Sequence, residues 1–335
     1  MKGFKRSDGR KGIRNYTLVV YLVECAHHVA REIAAPFPRQ EVQVLGFSGC
    51  YPNEYAFRVI QSFCTHPNVG AVLLVSLGCE GFDRIRLQAA IAASSRPVQI
   101  LTIQEVGGTR KTVEQGREWL SRVRVERPVE VPLAISDLII GTKCGGSDGT
   151  SVITANPAIG CAVDRLVAAG ATCIFEETGE LIGCEEHMAQ RAVAPVLAHQ
   201  IRACIPKAAA YYRTLGYGSI AVGNAEGGLT TQEEKSLGAY TKSGRAPILG
   251  LLKPGDHPPQ PGLYLMDMIS DGEVRFGIPN INDNVDIGDM IACGAHLILF
   301  STGRGSVVGS AVAPVIKVCA NPETYRRMEE DMDIN

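Results

Sequence analysis

Ala71-Val72-Leu73-Leu74-Val75-Ser76-Leu77 is an almost unbroken apolar run, followed at once by Gly78-Cys79-Glu80 and then by the amphipathic segment Arg84–Ala93. An apolar run without polar alternation suits a strand buried on both faces, and a switch to helical periodicity after a turn marks a βα unit. The same order surrounds it. Upstream lie the strand-like runs Tyr16–Val23 and Val42–Gly46, separated by the amphipathic His28–Ala34 and followed by Tyr55–Cys64. Downstream come Val98–Ile103 and the helical stretch Thr109–Arg122. Regular alternation of this kind predicts a parallel sheet with helices on both faces.

The polar, proline-containing stretch Val123–Pro132 is the candidate boundary, and the pattern restarts beyond it. A strand at Leu138–Gly141, a glycine-rich loop, a helix over Ala158–Ala169 and a strand at Thr172–Glu176 come in turn. Helices are expected across Glu185–His199 and Gln200–Leu215, and Gly255–Gly262 reads as a surface loop. Strands at Leu263–Met268 and Leu297–Ser301 flank a polar excursion, Asp271–Asp283, and a helical run, Glu323–Glu330, comes near the end. The expected architecture is therefore α/β: two consecutive Rossmann-like α/β units with mainly parallel sheets, over 1–130 and 131–335.

Composition bounds the function. With 335 residues, 45% of them hydrophobic, the chain can bury a core without staples, and a net charge of −2 argues against nucleic-acid or membrane binding. The most apolar segment, Thr17–Val23, is too short to span a bilayer and nothing reads as a signal peptide, so a cytoplasmic address is expected. The basic N-terminus, with Lys2, Lys5, Arg6, Arg10, Lys11 and Arg14 against Asp8, is either a solvated arm or an anion site.

Eleven cysteines are many for such a chain. In a reducing compartment they are thiols or ligands, and some are simply small core hydrophobes. Cys25, Cys50, Cys79 and Cys144 each follow a strand-like run, which is where open α/β sheets bind ligands. Thiolates suit iron, zinc or iron–sulfur clusters, although no CxxC spacing is present. Cys64, Cys161, Cys173, Cys204 and Cys293 sit in apolar patterns and are expected in the core.

Cys144-Gly145-Gly146-Ser147-Asp148-Gly149-Thr150-Ser151 precedes Ala155-Asn156-Pro157 and a helix, an arrangement that can cradle an anion. The lysine of a nucleotide-binding loop is absent from its place, so a carboxylate or sulfonate fits better than a triphosphate. Ser301-Thr302-Gly303-Arg304-Gly305-Ser306 is a second candidate anion loop, with an arginine available for bidentate contact. Glu176, Glu177, Glu180, Glu185, Glu186 and His187 are either an exposed face or groups that hold a cation or move a proton. Gly227-Gly228-Leu229-Thr230-Thr231 makes a turn with Thr231 as N-cap, and Lys235 beyond it is a possible base.

Together, Asp8-Gly9-Arg10-Lys11-Gly12-Ile13-Arg14-Asn15, Gly78-Cys79-Glu80, Cys144-Gly145-Gly146-Ser147-Asp148, Gly227-Gly228-Leu229-Thr230-Thr231 and Ser301-Thr302-Gly303-Arg304-Gly305 resemble the altronate and galactarate dehydratase family. The likeness runs over essentially the whole chain. Tyr21–Glu32, Gly49-Cys50-Tyr51-Pro52-Asn53 and Phe175–Glu185 look like the sulfolactate sulfo-lyase branch of that family. The resemblance implies an iron(II) requirement, a separate small subunit with a SAF-type domain, an oligomer, and a C-terminal tail beyond residue 335.

It also implies a lyase that removes the proton α to a carboxylate and expels a β leaving group. On this reading (2R)-3-sulfolactate yields pyruvate and sulfite; the alternatives are a hydro-lyase making 2-keto-3-deoxy sugar acids, and a non-catalytic anion-binding module. Strand-end placement and the family pattern together put Cys50, Cys79, Cys144 and Glu185 at a metal, mononuclear or an iron–sulfur cluster. They make Glu180, Glu80 and Lys235 the candidates for proton transfer. Arg14, Ser147, Asp148, Asn156 and Arg304 are expected to hold substrate.

Overall fold

The computed structural model describes residues 1–123, 129–176, 178–214, 216, 222–269 and 282–335. Two compact units result: Met1–Ala134, joined by Ala311–Ala313, and a second that begins at Ile135 and includes Pro314–Asn335. Of the expected boundary Val123–Pro132, residues 124–128 lie outside the described residues, as do Glu177 and residues 271–281 of the polar excursion.

The first unit is built on strands β3 (Tyr16–Tyr21), β4 (Val42–Gly46), β5 (Val69–Ser76) and β6 (Val98–Thr102), all parallel, in the order β4-β3-β5-β6. Leu18, Val19, Val20, Leu73 and Leu74 are fully buried, so the central strands are covered on both faces, as their unbroken apolar runs require. Alternate residues divide between the faces. Val19, Leu73 and Val75 join Ile33, Trp119 and Leu120 in one cluster, from the helices His27–Ala34 and Thr109–Val123. The helices Glu54–Cys64 and Arg84–Ala93 also pack on β5 and bring the buried Phe57, Ile60, Leu87 and Ile91.

The basic N-terminus is not a solvated arm. Strands β1 (Lys2–Lys5) and β2 (Lys11–Gly12) form an antiparallel sheet with β7 (Glu130–Pro132), in the order β2-β1-β7. Arg6 is buried and donates to Pro67 O at 2.6 Å, Asn15 Oδ1 at 2.8 Å and Arg14 O at 3.0 Å. Burial, and then the neighbouring charge of Arg96, push its guanidinium down to about 10. Charge counting along the chain missed this because the partners are neutral oxygens, two backbone carbonyls and one side-chain amide.

In the second unit six parallel strands run in the order β10-β11-β9-β8-β12-β13: β8 (Ile139–Cys144), β9 (Thr172–Glu176), β10 (Ile248–Leu252), β11 (Leu263–Met266), β12 (Leu297–Thr302) and β13 (Val315–Cys319). The fold is thus α/β with mainly parallel sheets. The edge strands β10 and β13 were absent from the sequence reading, because edge strands are only partly buried and their runs are short and interrupted. The expected pair of helices after Glu185 becomes Glu185–Ala189 and a single longer helix, Pro195–Thr214. Pro195 suits a first turn, where no amide donor is needed, so the longer helix starts there.

Cys161 corrects another expectation: it is exposed. The helix Asn156–Ala168 buries Ile159, Gly160 and Val163, and Cys161 stands two residues from both Ile159 and Val163, on the opposite side. Cys64, Cys173, Cys204 and Cys293 are buried as expected. Among the described residues no helix is long and apolar enough to cross a membrane.

Candidate active site

Strand order places the site of the second unit. From β8 the chain passes to β9 on one side, whereas β12 lies on the other. The loops after β8 and β12 therefore diverge at a switch point, where open α/β sheets leave a crevice beyond the carboxyl ends of the strands. Those loops are Gly145-Gly146-Ser147 and Gly303-Arg304-Gly305. They are tied together by Gly145 N to Ser301 O at 3.1 Å, Gly303 N to Gly146 O at 3.2 Å and Arg304 N to Gly146 O at 2.9 Å. Gly146 has φ +56°, the left-handed region in which glycine costs least.

A cavity of about 420 Å³ opens here, lined by Gly145, Gly146, Ser147, Glu180, Asn224, Lys235, Asp283 and Arg304 among others. Behind it lies Cys144, the last residue of β8, fully buried. Lys235 Nζ donates to Glu180 Oε2 at 2.6 Å, to Ser147 Oγ at 3.1 Å and to Cys144 Sγ at 3.3 Å. Lys242 Nζ donates to the same sulfur at 3.3 Å, and Ser147 Oγ does so at 3.2 Å. Cys144 Sγ in turn donates to Glu180 Oε2 at 3.8 Å.

Local sequence explains the delivery of these lysines. Thr231 is the N-cap of the helix Gln232–Thr241: its hydroxyl accepts from Glu234 N at 3.2 Å, while the Glu234 carboxylate accepts from Thr231 N at 3.1 Å. Lys235 follows in the first turn and Lys242 caps the end, seven residues later. That spacing is about two turns, so both rise from one helix face.

Burial by itself would raise the Glu180 carboxyl, but the ammonium groups of Lys235, Lys143 and Lys242 hold it well below the usual glutamate range. Because the folded-state value is depressed, the stability this carboxylate contributes is present above the unfolded value of 4.5 and is lost as pH falls toward the folded one. Urea midpoints measured from pH 7 down to pH 3 are expected to fall less steeply for Glu180→Gln than for the wild type; parallel slopes would refute this account.

Lys143 precedes Cys144 on the strand and so points to the other face of the sheet. There it stands 3.4 Å from Glu176 Oε2 and 3.2 Å from Asp286 Oδ2, all three side chains buried. Asn224 Nδ2 donates to Ser147 O at 2.9 Å. Lys143, Lys242 and Asn224 were not singled out from the sequence. The spacing of Lys235 and Lys242 was the one local signal that could have found any of them.

Of the residues singled out, Cys144, Ser147, Glu180 and Lys235 form one cluster, with Arg304 lining the same cavity. Arg304 Nη1 reaches Gly223 O and, at 3.0 Å, Glu226 Oε2. Asp148 and Asn156 brace the loops. Asp148 Oδ1 accepts from Thr150 Oγ1 at 2.6 Å and Ser151 N at 2.9 Å. Asn156 Nδ2 donates to Gly238 O at 3.0 Å, and its Oδ1 accepts from Ser301 Oγ at 2.5 Å. Glu185 accepts from Gly183 N at 3.1 Å, and its neighbour Glu186 pairs with Arg202 at 2.8 Å.

Cys50, Cys79, Glu80 and Arg14 belong to the first unit. Cys50 and Cys79 are exposed in loops beyond the carboxyl ends of β4 and β5, joined by Gly81 N donating to Cys50 O at 2.8 Å. Cys25, after β3, is also exposed. Glu80 folds back on its own strand end, accepting from Ser76 Oγ at 2.5 Å and Gly78 N at 2.8 Å. Burial raises its carboxyl, and these bonds outweigh that and lower it overall. Arg14 precedes β3 and lines a cavity with Lys5, Asn15 and Glu41, at the amino ends of the strands. The sheet thus separates it from Cys79 and Glu80 by the length of a strand, roughly 20 Å.

The iron implied by the family resemblance does not fit the contacts of Cys144. The sulfur and the Glu180 carboxylate both already receive ammonium hydrogen bonds. Among the described residues no group of three or more histidine, cysteine or acidic side chains is arranged to hold a metal ion.

Comparison with known proteins places the chain further. Residues 135–335 match the family described as D-galactarate/altronate dehydratase, C-terminal, and residues 3–126 match the D-galactarate dehydratase/altronate hydrolase second domain. An altronate dehydratase of Bacillus subtilis is 32% identical over all of this chain and 68% of its own length. The (2R)-sulfolactate sulfo-lyase subunit beta of Chromohalobacter salexigens is 32% identical over 99% of this chain and 85% of its own. A galactarate dehydratase of Escherichia coli is 31% identical over 83% of this chain and 53% of its own.

Proposed function

The chain belongs to the D-galactarate/altronate dehydratase family, whose related members are lyases, and from that premise we propose that it eliminates a β leaving group from a small anionic 2-hydroxy acid at the cavity beyond β8 and β12. The observation that carries this reading is the cluster of Lys235, Glu180, Ser147 and Cys144, opening on a cavity that Arg304 also lines. Cationic side chains suit a carboxylate substrate, and a proton acceptor stands beside them.

The Glu180 carboxylate is the group that takes the proton from the carbon α to the substrate carboxylate. Lys235, bound to the same carboxylate, lies where the enediolate charge develops and lowers its energy. Arg304 supplies a second positive charge at the mouth. As the α carbon–hydrogen bond breaks, its electron pair forms the carbon–carbon double bond and the β bond breaks, its pair departing with the leaving group.

The substrate to test first is (2R)-3-sulfolactate. The leaving group is then sulfite, which needs little acid help, and the enol tautomerises to pyruvate. Lys235 and Arg304, which line the cavity, offer one positive charge for each of the substrate's two negative charges. A second reading, dehydration of altronate or galactarate, is favoured by the altronate dehydratase likeness at the same 32% identity. Since one of these relatives is a beta subunit, we also propose that the chain works with a small partner subunit, of the SAF type, in a larger assembly. An iron requirement is proposed separately; its candidate donors are Cys50 and Cys79.

Sulfite and keto-acid release should be measured from sulfolactate, altronate and galactarate, using the chain together with the proposed small subunit. Sulfolactate is expected to give equimolar sulfite and pyruvate. Inert sulfolactate beside a dehydrated sugar acid would move the assignment to the second reading, and binding without turnover of all three would remove the lyase proposal.

A further inference from the structure

The reaction just described gives Cys144 no part, yet more polar groups converge on its sulfur than on any neighbouring thiol among the described residues. The sulfur is fully buried at the end of β8 and stands behind the cavity lining. Lys235 and Lys242, from one face of one helix, both end 3.3 Å from it, and Ser147 Oγ adds a third donor at 3.2 Å.

We infer that Cys144 is a positioning residue, whose sulfur anchors Lys235 and Lys242 side by side behind the cavity, and that it is not a metal ligand. Two ammonium groups drawn to one point would repel unless an acceptor stood between them, and the sulfur that accepts from both is such an acceptor. A metal ion on the same sulfur would face both of those charges. An aliphatic side chain at this position would remove the acceptor that the two lysines share, while Lys235 keeps its bonds to Glu180 and Ser147. The catalytic consequence rests on the proposed lyase reading; the anchoring itself does not.

The test uses the full chain with its partner subunit, in the wild type and in Cys144→Ala, Cys144→Ser and Cys144→Asp. Lysine accessibility is read by reductive methylation with formaldehyde and peptide mass spectrometry. Both lysines are expected to label slowly in the wild type; in Cys144→Ala Lys242 is expected to label roughly tenfold faster and Lys235, still held by Glu180 and Ser147, by less, and both should return near the wild-type rate in Cys144→Asp, which supplies an acceptor. Cys144→Ser keeps the size of the side chain and a neutral acceptor, and should label at an intermediate rate even if the alanine variant folds poorly.

Iron content of anaerobically purified protein is expected to be the same in all four. Turnover is expected to fall about tenfold or more in Cys144→Ala, with most of it recovered in Cys144→Asp. Unchanged labelling of both lysines in Cys144→Ala and Cys144→Ser, or loss of iron with the sulfur, would overturn the inference. The expected labelling pattern, in a protein that turns over none of the three substrates, would leave the anchor standing and remove the proposed reaction.

Discussion

Lys235→Met is expected to lower turnover by roughly 10²–10³-fold, the size of effect found when a preorganised charge is removed from a developing anion. Methionine keeps much of the length and apolar volume of the lysine stem, so loss of packing is small and loss of charge dominates. Three contacts go at once: the 2.6 Å bond to Glu180, the 3.1 Å bond to Ser147 and the 3.3 Å bond to Cys144. Glu180, 18% exposed, then keeps only the more distant Lys143 and Lys242 as counter-charges, and its carboxyl rises toward the protonated form. Leaving a largely buried carboxylate without its direct partner costs about 3 kcal/mol of stability. The two effects are separable. Circular dichroism and a thermal melt report the folded fraction, and turnover is then expressed per folded molecule. A per-molecule rate within a few-fold of the wild type would exclude Lys235 from the chemistry.

Gly160→Val is expected to be strongly damaging although it lies outside the cavity. Gly160 lies in the helix Asn156–Ala168, where it closely faces the carbonyl of Thr241, and Gly244 N would stand 3.1 Å from an added Cβ. Those obstacles are backbone and cannot rotate away, so the two helices must separate. Overpacking of this kind costs about 3 kcal/mol, which for a unit of this size lowers the melting temperature by about 10 °C. The displacement also falls beside Lys242, whose ammonium reaches Cys144 from the next residue along. Activity per folded molecule should therefore drop as well. An unchanged melting temperature would mean that this close approach is not needed.

Much of the frame was legible in the chain itself, because strand and helix periodicities are local. The runs at Tyr16–Val23, Val42–Gly46, Ala71–Leu77 and Thr172–Glu176 all became strands of parallel sheets. The edge strands β10 and β13 escaped notice because a half-covered strand lacks the continuous apolar signal on which that reading depends. The side on which a residue falls was equally hard to see. Cys161 sits in an apolar stretch yet faces outward, and Arg14 belongs to the end of its sheet opposite Cys79.

The candidate site shows the same division. The glycine-rich loop after Cys144, the N-cap at Thr231 and the acidic Glu180 were legible because each depends on a few neighbouring residues. Lys242 was not, since its meaning depends on a sulfur 98 residues away in sequence and 3.3 Å away in space. The sequence alone therefore determined an α/β chain of the dehydratase family with glycine-rich loops after its strands. Only the tertiary structure decided that Cys144 faces two lysines, because strand order at the switch point, and not proximity along the chain, sets which charges meet in a buried crevice.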